Sequence, residues 1–206
     1  YLKNGFTQAG FFKESVNFDR GYEDPVHSIR RQSEGIYAML HFLAYEKENG
    51  RRHPEWEQKM KNMLDILLQL QHADGSFPRK FHDDFTVVDD SGGSTPSATL
   101  PLIMGYKYFK DKRYLASAKR TADYLEKVLI SKADYFSSTL DANCEDKEAS
   151  LYAATATYYL SLITKGDEHR HYADLTRKAA YFALSWYYVW DVPFAQGQML
   201  GDIGLK

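Results

Sequence analysis

The chain has 206 residues, a formal net charge of −2, and 26 basic against 28 acidic side chains. This near balance provides no basic field that would attract nucleic acid or an anionic membrane surface. Apolar residues make up 44% and charged residues 26%, which is typical of a globular chain and argues against disorder. The single cysteine, Cys144, excludes an internal disulfide framework and a cysteine-based zinc site, but it leaves the cellular compartment open.

The first 25 residues show no helical periodicity. Gly5, Gly10 and Gly21 are scattered among aromatic residues, so we expect irregular chain or short strands over residues 1–25. The first residue is Tyr1 and not methionine, which indicates a processed protein or an excised fragment.

Helical periodicity dominates after that segment and predicts an all-α domain over residues 26–190. Six helices are expected, at about residues 26–48, 55–72, 96–110, 112–132, 148–164 and 168–190. Asp24-Pro25 and Thr95-Pro96 each place a capping side chain before a proline suited to the first helical turn. Asp146 is expected to cap the fifth helix.

A repeat becomes visible when the helices are paired. Trp56, Tyr114 and Tyr172 are 58 residues apart, and each lies near the start of the second helix of a pair. A basic residue follows each of them five positions later, at Lys61, Lys119 and Arg177. Supersecondary units repeated at a fixed period usually stack and share one continuous core. The sequence therefore predicts three stacked helical hairpins.

The two helices of each pair differ in polarity. The stretch from Ala149 to Ile163 carries no charge, so the fifth helix is expected to be surrounded by protein. The third helix is nearly as apolar, whereas the second and fourth have charged faces. We therefore expect odd-numbered helices to be inner and even-numbered helices to be outer. The long loops, at about residues 73–94 and 133–147, then lie together at the N-terminal ends of the inner helices, where function is expected.

Three motifs resemble the six-hairpin glycosidase superfamily of α/α toroids. Gln71-His-Ala-Asp-Gly-Ser-Phe77 closes an outer helix, Gly92-Gly-Ser-Thr-Pro-Ser-Ala-Thr99 opens an inner helix, and Tyr108-Phe-Lys-Asp-Lys-Arg-Tyr-Leu115 links a hairpin. The resemblance covers roughly residues 26–190 and implies concentric inner and outer helices. It implies a carbohydrate-active enzyme, most specifically a glycoside hydrolase that acts on oligosaccharides.

A complete toroid of that superfamily has six hairpins, and this chain supplies about three. Residues 191–206 resemble a loop that leads to a further inner helix. The expectation is therefore a fragment of an (α/α)6 barrel, with the remainder of a longer chain absent and with part of the site outside these residues.

The first inner helix opens with an unusual run of polar residues. A buried helix carries Arg30 or Arg31, Gln32 and Glu34 near its start only if they face a wet cavity or pair with one another. We predict a polar pocket here, with Glu34 as a catalytic candidate and Arg31 and Gln32 as substrate-binding candidates. His27, just before this run, is a further binding candidate. The alternative is a salt-bridged helix end at the surface.

The loop before the third helix is rich in carboxylates: Asp83, Asp84, Asp89 and Asp90. Paired carboxylates can supply the general acid and base of glycosidic cleavage, and Asp89 and Asp90 lie nearest the helix. Oxygen ligands of this kind can also hold Ca²⁺, although their spacing is not that of an EF-hand. A solvated acidic loop is the simplest alternative.

The loop before the fifth helix ends in Asp146 and Glu148. Both carboxylates are placed where the helix dipole favours their ionised form, so Glu148 is a catalytic candidate and Asp146 a binding candidate; capping alone is the alternative. Aromatic residues are expected to stack on sugar rings, with Phe77, Phe81 and Phe85 walling a groove and Trp190 reaching the same face.

Three functions are compatible with these patterns. The first is a glycoside hydrolase whose catalytic carboxylates come from Asp89, Asp90, Glu34 and Glu148 and which needs no cofactor. The second is a carbohydrate-binding or scaffold toroid without catalysis. The third is an isoprenoid cyclase or prenyltransferase, since residues 71–77 fit a Q-x-x-D-G-S-F pattern.

Overall fold

The computed structural model describes residues 4–17, 19–136 and 145–187. Within them six helices alternate with long and short connections, as predicted. The helices are α1 (Ile29–Glu48), α2 (Pro54–Leu70), α3 (Thr95–Phe109), α4 (Lys112–Tyr124), α5 (Lys147–Ile163) and α6 (Gly166–Leu184), and α4 continues as a π-helical turn over Leu125–Ile130. The strands are β1 (Val16–Asn17), β2 (Tyr22–Glu23), β3 (Val26–Ser28), β4 (Lys80–His82) and β5 (Val87–Asp89).

Helix α3 lies at the centre of the arrangement. Every residue from Thr95 to Gly105 is buried, and the helix packs against α1 on one side and α5 on another. This burial follows from its composition, because the first eleven residues of α3 carry no charge. The prediction that the third helix is an inner helix is confirmed.

The outer helices bury one stripe each. In α4 the buried residues include Tyr114, Ala118 and Ala122, a spacing of four that puts all three on one face. Tyr114 and Tyr172, two members of the 58-residue repeat, are both buried, and Trp56 packs against the edge of the same core. The repeat therefore marks equivalent positions where outer helices meet the core.

The expected caps are only partly correct. Asp146 caps α5 by accepting from the backbone N–H of Glu148. Asp24 does not cap α1, because Val26 to Ser28 form strand β3 and the helix begins after Ser28, whose hydroxyl accepts from Arg31 N–H. Ser94 holds the cap position of α3, and the hydroxyl of Thr95 instead accepts from Phe77 N–H at 2.9 Å.

A three-stranded antiparallel sheet joins the start of α1 to the loop before α3. Its strand order is β3-β4-β5, with Val26 opposite His82 and Ser28 opposite Lys80. Phe81 lies in β4 and is 1% exposed, and Phe77 is fully buried. The expectation that Phe77 and Phe81 wall a groove is therefore wrong, because both rings fill the core beneath this sheet.

The Gln71–Phe77 motif is a structural turn. The Gln71 side-chain amide donates to the Thr121 hydroxyl of α4 at 2.9 Å, and Asp74 accepts from Ser76 N–H. Gly75 has φ +94° and lies so close to α4 that a Cβ would fall 2.1 Å from the Arg120 carbonyl oxygen. Glycine is required there for both reasons. The motif fixes the end of an outer helix to its neighbour.

Part of α5 contradicts the expectation of full enclosure. Tyr158 is 49% exposed and Leu162 58% exposed, and Leu151 is also exposed. The physical reason is that α5 packs mainly against α3 and α6 and also contacts α1 through side chains, and these neighbours leave one apolar side of the helix facing outward.

Candidate functional site

A polar cluster lies where α1 and α5 both begin. Arg30 donates from Nε to Glu34 at 3.0 Å, and its other guanidinium nitrogen lies 2.6 Å from Glu148. Tyr152 donates its hydroxyl proton to the same Glu34 carboxylate. One arginine thus bridges carboxylates from the first and third inner helices, which are far apart in the sequence.

Local structure explains how these side chains meet. Arg30 and Glu34 are one helical turn apart on α1, and Glu148 and Tyr152 are one turn apart on α5, so each pair shares a face. The contact between Arg30 and Glu148 shows that the N-terminal turns of α1 and α5 lie at the same end of the molecule. This is the end at which the sequence predicted the functional residues.

The arginine of the cluster is mostly shielded from solvent, whereas its two carboxylates are more exposed. The Arg30 side chain is 20% exposed, whereas those of Glu34 and Glu148 are 41% and 43% exposed. The guanidinium is therefore largely shielded, while each carboxylate keeps an edge that a bound molecule can reach.

The charges reinforce one another. Burial lowers the pKa of Arg30, but the hydrogen bond and charge of Glu34 outweigh it, so the pKa stays above its usual value. Burial also raises the pKa of the Tyr152 hydroxyl, and its hydrogen bond to Glu34 adds to the rise. Tyr152 therefore remains a donor, and Glu34 accepts hydrogen bonds from two fixed groups.

Polar aromatic residues extend the cluster along the helices. The hydroxyls of Tyr37 and Tyr159 lie 3.1 Å apart, joining α1 to α5 a second time. The His41 ring meets the Tyr37 ring edge-on at 4.5 Å. Arg30, Glu34, Tyr37 and His41 follow the helical repeat and form one wall, which we call the axial wall.

Sequence reasoning did not single out Tyr152, Tyr37 or Tyr159. A signal was present, because Glu148, Tyr152 and Tyr159 are spaced by four and seven residues in a helix that carries no other ionisable groups except Lys147 and Tyr158. The sequence analysis also left Arg30 and Arg31 as alternatives for the polar pocket. Of these two, Arg30 belongs to the cluster and Arg31 does not.

Asp89 and Asp90 lie at the approach to α3 and have partners of their own. Asp89 is 3.3 Å from the buried Arg79 guanidinium and accepts from Ser91 N–H. Burial opposes its ionisation, but the Ser91 hydrogen bonds and the charge of Arg79 hold its pKa below the usual value. Asp90 is 3.3 Å from His72. Neither makes an ion pair or hydrogen bond with Glu34 or Glu148 in the described residues.

The remaining binding candidates are dispersed. His27 is fully buried between the rings of Phe11 and Phe81, with its Nε2 2.6 Å from Asp83. Phe85 is 38% exposed at the turn between β4 and β5, where its φ is +68°.

Arg31 and Gln32 face the N-terminal segment and not the Arg30 cluster. Arg31 donates to the Glu14 carbonyl, and Gln32 is buried with hydrogen bonds to the Phe12 backbone N–H and carbonyl. Arg31 also lines a shallow cleft of about 400 Å³ with Glu14, Asp24 and Lys80. Asp146 is 9% exposed at its cap position, and Trp190 lies outside the described residues.

The loop carboxylates do not converge as cation ligands. Asp83 pairs with His27, Asp84 accepts from Thr86 N–H, and Asp89 and Asp90 have the separate partners given above. In the described ranges no three histidine, cysteine or acidic side chains are placed to hold a metal ion. Likewise, no helix there is long and apolar enough to cross a membrane.

Comparison with known proteins finds similar folds but no matching sequence family. No protein-family model matches the sequence. The unsaturated glucuronyl hydrolase from Bacillus sp. GL1, responsible for degradation of glycosaminoglycan, superposes with a TM-score of 0.68 at 14% identity, covering 91% of this chain and 53% of that one. A D-mannose isomerase gives 0.67 at 17% identity, over 94% and 54%.

The cellobiose 2-epimerase from Bacillus thermoamylovorans B4167 gives a TM-score of 0.66 at 13% identity, covering 92% of this chain and 53% of that one. The chain thus spans about half the length of the solved structures that it matches. These structures are α/α toroids of the six-hairpin glycosidase type, as the sequence motifs predicted. The chain has the fold of a six-hairpin glycosidase-like α/α toroid.

Proposed function

We propose that this chain is the site-bearing part of a carbohydrate-active enzyme, a glycoside hydrolase that acts on oligosaccharides. The observation that carries the proposal is the Arg30 bridge between Glu34 and Glu148 at the open end of the inner helices. It holds two solvent-accessible carboxylates at one mouth, beside an axial wall of tyrosine and histidine. The names of the similar structures, a hydrolase, an isomerase and an epimerase of saccharides, support the substrate class.

Glycosidic cleavage needs two carboxyl groups. One protonates the departing oxygen, while the other activates water or attacks the sugar. Glu34 fits the second role, because Arg30 and Tyr152 both donate to it and fix its orientation. Glu148, Asp89 and Asp90 are the remaining candidates for the proton donor, and Asp89 fits that role least because its pKa is held below the usual value.

The axial wall argues against the two alternative functions. An isoprenoid cyclase needs a dry aromatic channel, whereas this wall carries Arg30, Glu34 and His41. A scaffold without chemistry has no need to hold a partly exposed carboxylate with two directed donors. The Q-x-x-D-G-S-F pattern has a structural explanation in the turn that joins α2 to α4.

The test is a set of amide variants assayed on a panel of neutral and uronic-acid oligosaccharides. We expect Glu34→Gln to lower turnover by at least about a hundredfold, as loss of an acid or base group does. One of Glu148→Gln, Asp89→Asn and Asp90→Asn should show a comparable loss and so identify the proton donor. Glu55→Gln, at an exposed position on α2, is the matched control.

The products distinguish the reaction type. New reducing ends with a shorter saccharide indicate hydrolysis, whereas an isomer of unchanged mass would contradict the hydrolase proposal. Full turnover by Glu34→Gln would contradict the assignment of the site.

A further inference from the structure

A second groove lies at the opposite end of the inner helices. It has a volume of about 570 Å³ and opens between the C-terminal halves of α1 and α3. Its lining residues are His41, Ala44, Lys47, Glu48, Met104, Lys107, Tyr108 and Lys110. We call it the basal groove.

The groove concentrates positive charge. Lys47, Lys107 and Lys110 line it, against Glu48 as the one carboxylate of the lining. Among the residues that the structure describes, none of these three ammonium groups is in a salt bridge or hydrogen bond. The Nζ of Lys47 instead lies 5.1 Å from the centre of the Tyr108 ring, a cation–π contact. The charge of Lys47 also helps to lower the pKa of Glu57, so Lys107 and Lys110 are the cations most available to a ligand.

The walls are apolar and firmly held. Met104 is 7% exposed and Ala44 lies opposite on α1. Tyr108 is fixed at the far end of its ring, because its hydroxyl donates to Glu57 at 2.9 Å. Burial, reinforced by that hydrogen bond, raises the pKa of Tyr108 to about 12, so this donor stays protonated at neutral pH.

An apolar wall with three lysines beside it suits a small organic anion. We propose that the basal groove binds a phosphorylated sugar, with the phosphate held by Lys47, Lys107 and Lys110 and the sugar ring resting on Tyr108 and Met104. Phosphate accepts hydrogen bonds from several ammonium groups at once, and an aromatic face packs well against a sugar ring.

The lysines of the basal groove are remote from the carboxylates proposed for catalysis, although His41 belongs both to the axial wall and to the lining of the groove. Lys47 follows Arg30 by 17 residues of the same helix, which is about 25 Å along its axis. Binding in the basal groove therefore does not depend on whether Glu34 and Glu148 are catalytic, and each proposal can fail alone.

A simpler role for the lysines makes a different prediction. Lys47 and Lys107 lie in the last turns of α1 and α3, where cations stabilise the helix dipole. If that were their whole role, removing them would lower stability and leave anion binding unchanged. The negative C-terminal ends of the α1 and α3 dipoles disfavour a nearby anion. An anion therefore binds only if its attraction to the lysines exceeds this repulsion.

The test is isothermal titration of the chain with glucose 6-phosphate, inorganic phosphate and glucose. We expect glucose 6-phosphate to bind, inorganic phosphate to compete more weakly, and glucose alone to show no measurable binding. The double variant Lys107→Gln/Lys110→Gln should weaken glucose 6-phosphate binding at least tenfold. Lys132→Gln, an exposed lysine outside the groove, is the control and should bind as the wild type does.

A second variant separates loss of binding from loss of folding. Ala44→Glu keeps the lysines but adds a carboxylate to the wall, which repels a phosphate, so binding should be abolished. Because glutamate suits a helix, the circular dichroism should stay unchanged. Absence of binding by the wild type at millimolar glucose 6-phosphate would overturn the proposal. So would equal binding by the double variant, or equal weakening in Lys132→Gln.

Discussion

At the residue scale, the proposed function makes the hydroxyl of Tyr152 a positioning group for Glu34. It donates across the gap between α5 and α1 and so fixes a carboxylate that would otherwise depend on Arg30 alone. Groups that orient a reactive side chain act through its geometry, and their loss lowers the rate more than it lowers binding.

The variant Tyr152→Phe tests this role. We expect the free energy of unfolding to fall by about 1 kcal/mol, because one partly exposed hydrogen bond is lost. Turnover of an oligosaccharide substrate should fall by about tenfold in kcat with little change in KM. Tyr158→Phe, whose hydroxyl is not in the cluster, is the matched control. An unchanged kcat in Tyr152→Phe would contradict the positioning role.

Glu46 is a second residue whose charge depends on its neighbours. Hydrogen bonds from Arg51, at 2.8 Å, and from His53, at 2.9 Å, lower its pKa to about 2 from an ordinary 4.5. A carboxylate with a depressed folded-state pKa stabilises the protein above its unfolded pKa, and this contribution disappears as the pH falls through the folded value.

Glu46→Gln should therefore reduce stability at pH 7. The difference from the wild type should begin to shrink below about pH 4.5 and vanish near pH 2, the window set by the two pKa values. Urea unfolding at a series of pH values measures it, with Glu55→Gln as the control. A difference that persisted unchanged to pH 2 would show that packing, and not charge, accounts for the effect.

At the scale of the element, close approach between α2 and α4 depends on the turn at Gly75. Its backbone is left-handed, and the carbonyl of Arg120 occupies the space that a side chain would need. Both constraints act at one position, so substitution forces either the turn or α4 to move.

We expect Gly75→Ala to lower the free energy of unfolding by about 3 kcal/mol, since it combines backbone strain with a steric clash. Gly50 is the matched control, because its φ is +74° but nothing lies within 4 Å of an added Cβ. Gly50→Ala should cost only about 1 kcal/mol. Equal losses in urea unfolding would mean that the clash with Arg120 is relieved without cost.

The helices, and the meeting of polar residues at the N-terminal ends of α1 and α5, could be predicted because both depend on local patterns. The spacing of apolar residues predicted the helices, and the difference in charge between α3 and α4 predicted that α3 is the inner helix of the pair. Strand β3 was missed because its partner, His82, is 56 residues away from Val26. Tyr152 was missed for the same reason, since its partner Glu34 is 118 residues away.

At the scale of the whole molecule, apolar surface is concentrated along α5 and α6. Tyr158, Leu162, Tyr181 and Leu184 are each about half exposed or more. Exposed apolar side chains in this number on one helical pair promote association. The Arg30 cluster and this apolar surface are distinct, so a substitution in one of them should leave the other unchanged.

We expect the 206-residue chain to self-associate at micromolar concentration. The double variant Leu162→Gln/Tyr181→Gln should shift it toward the monomer, as measured by size-exclusion chromatography with light scattering. Val88→Gln removes an apolar side chain that is 48% exposed on the β5 strand and is the control. A wild-type chain that stays monomeric at these concentrations would contradict the expectation.

The long sequence separations at the Arg30 cluster have a consequence for the order in which the structure forms. Each helical hairpin closes through a short link, so its contacts form between near neighbours and form early. The bridge from Glu34 to Tyr152 closes a loop of more than a hundred residues and carries that entropy cost. A chain with most of its helices in place but with Glu34 and Tyr152 still apart is therefore an expected stage of folding, and the Arg30 cluster forms after helicity.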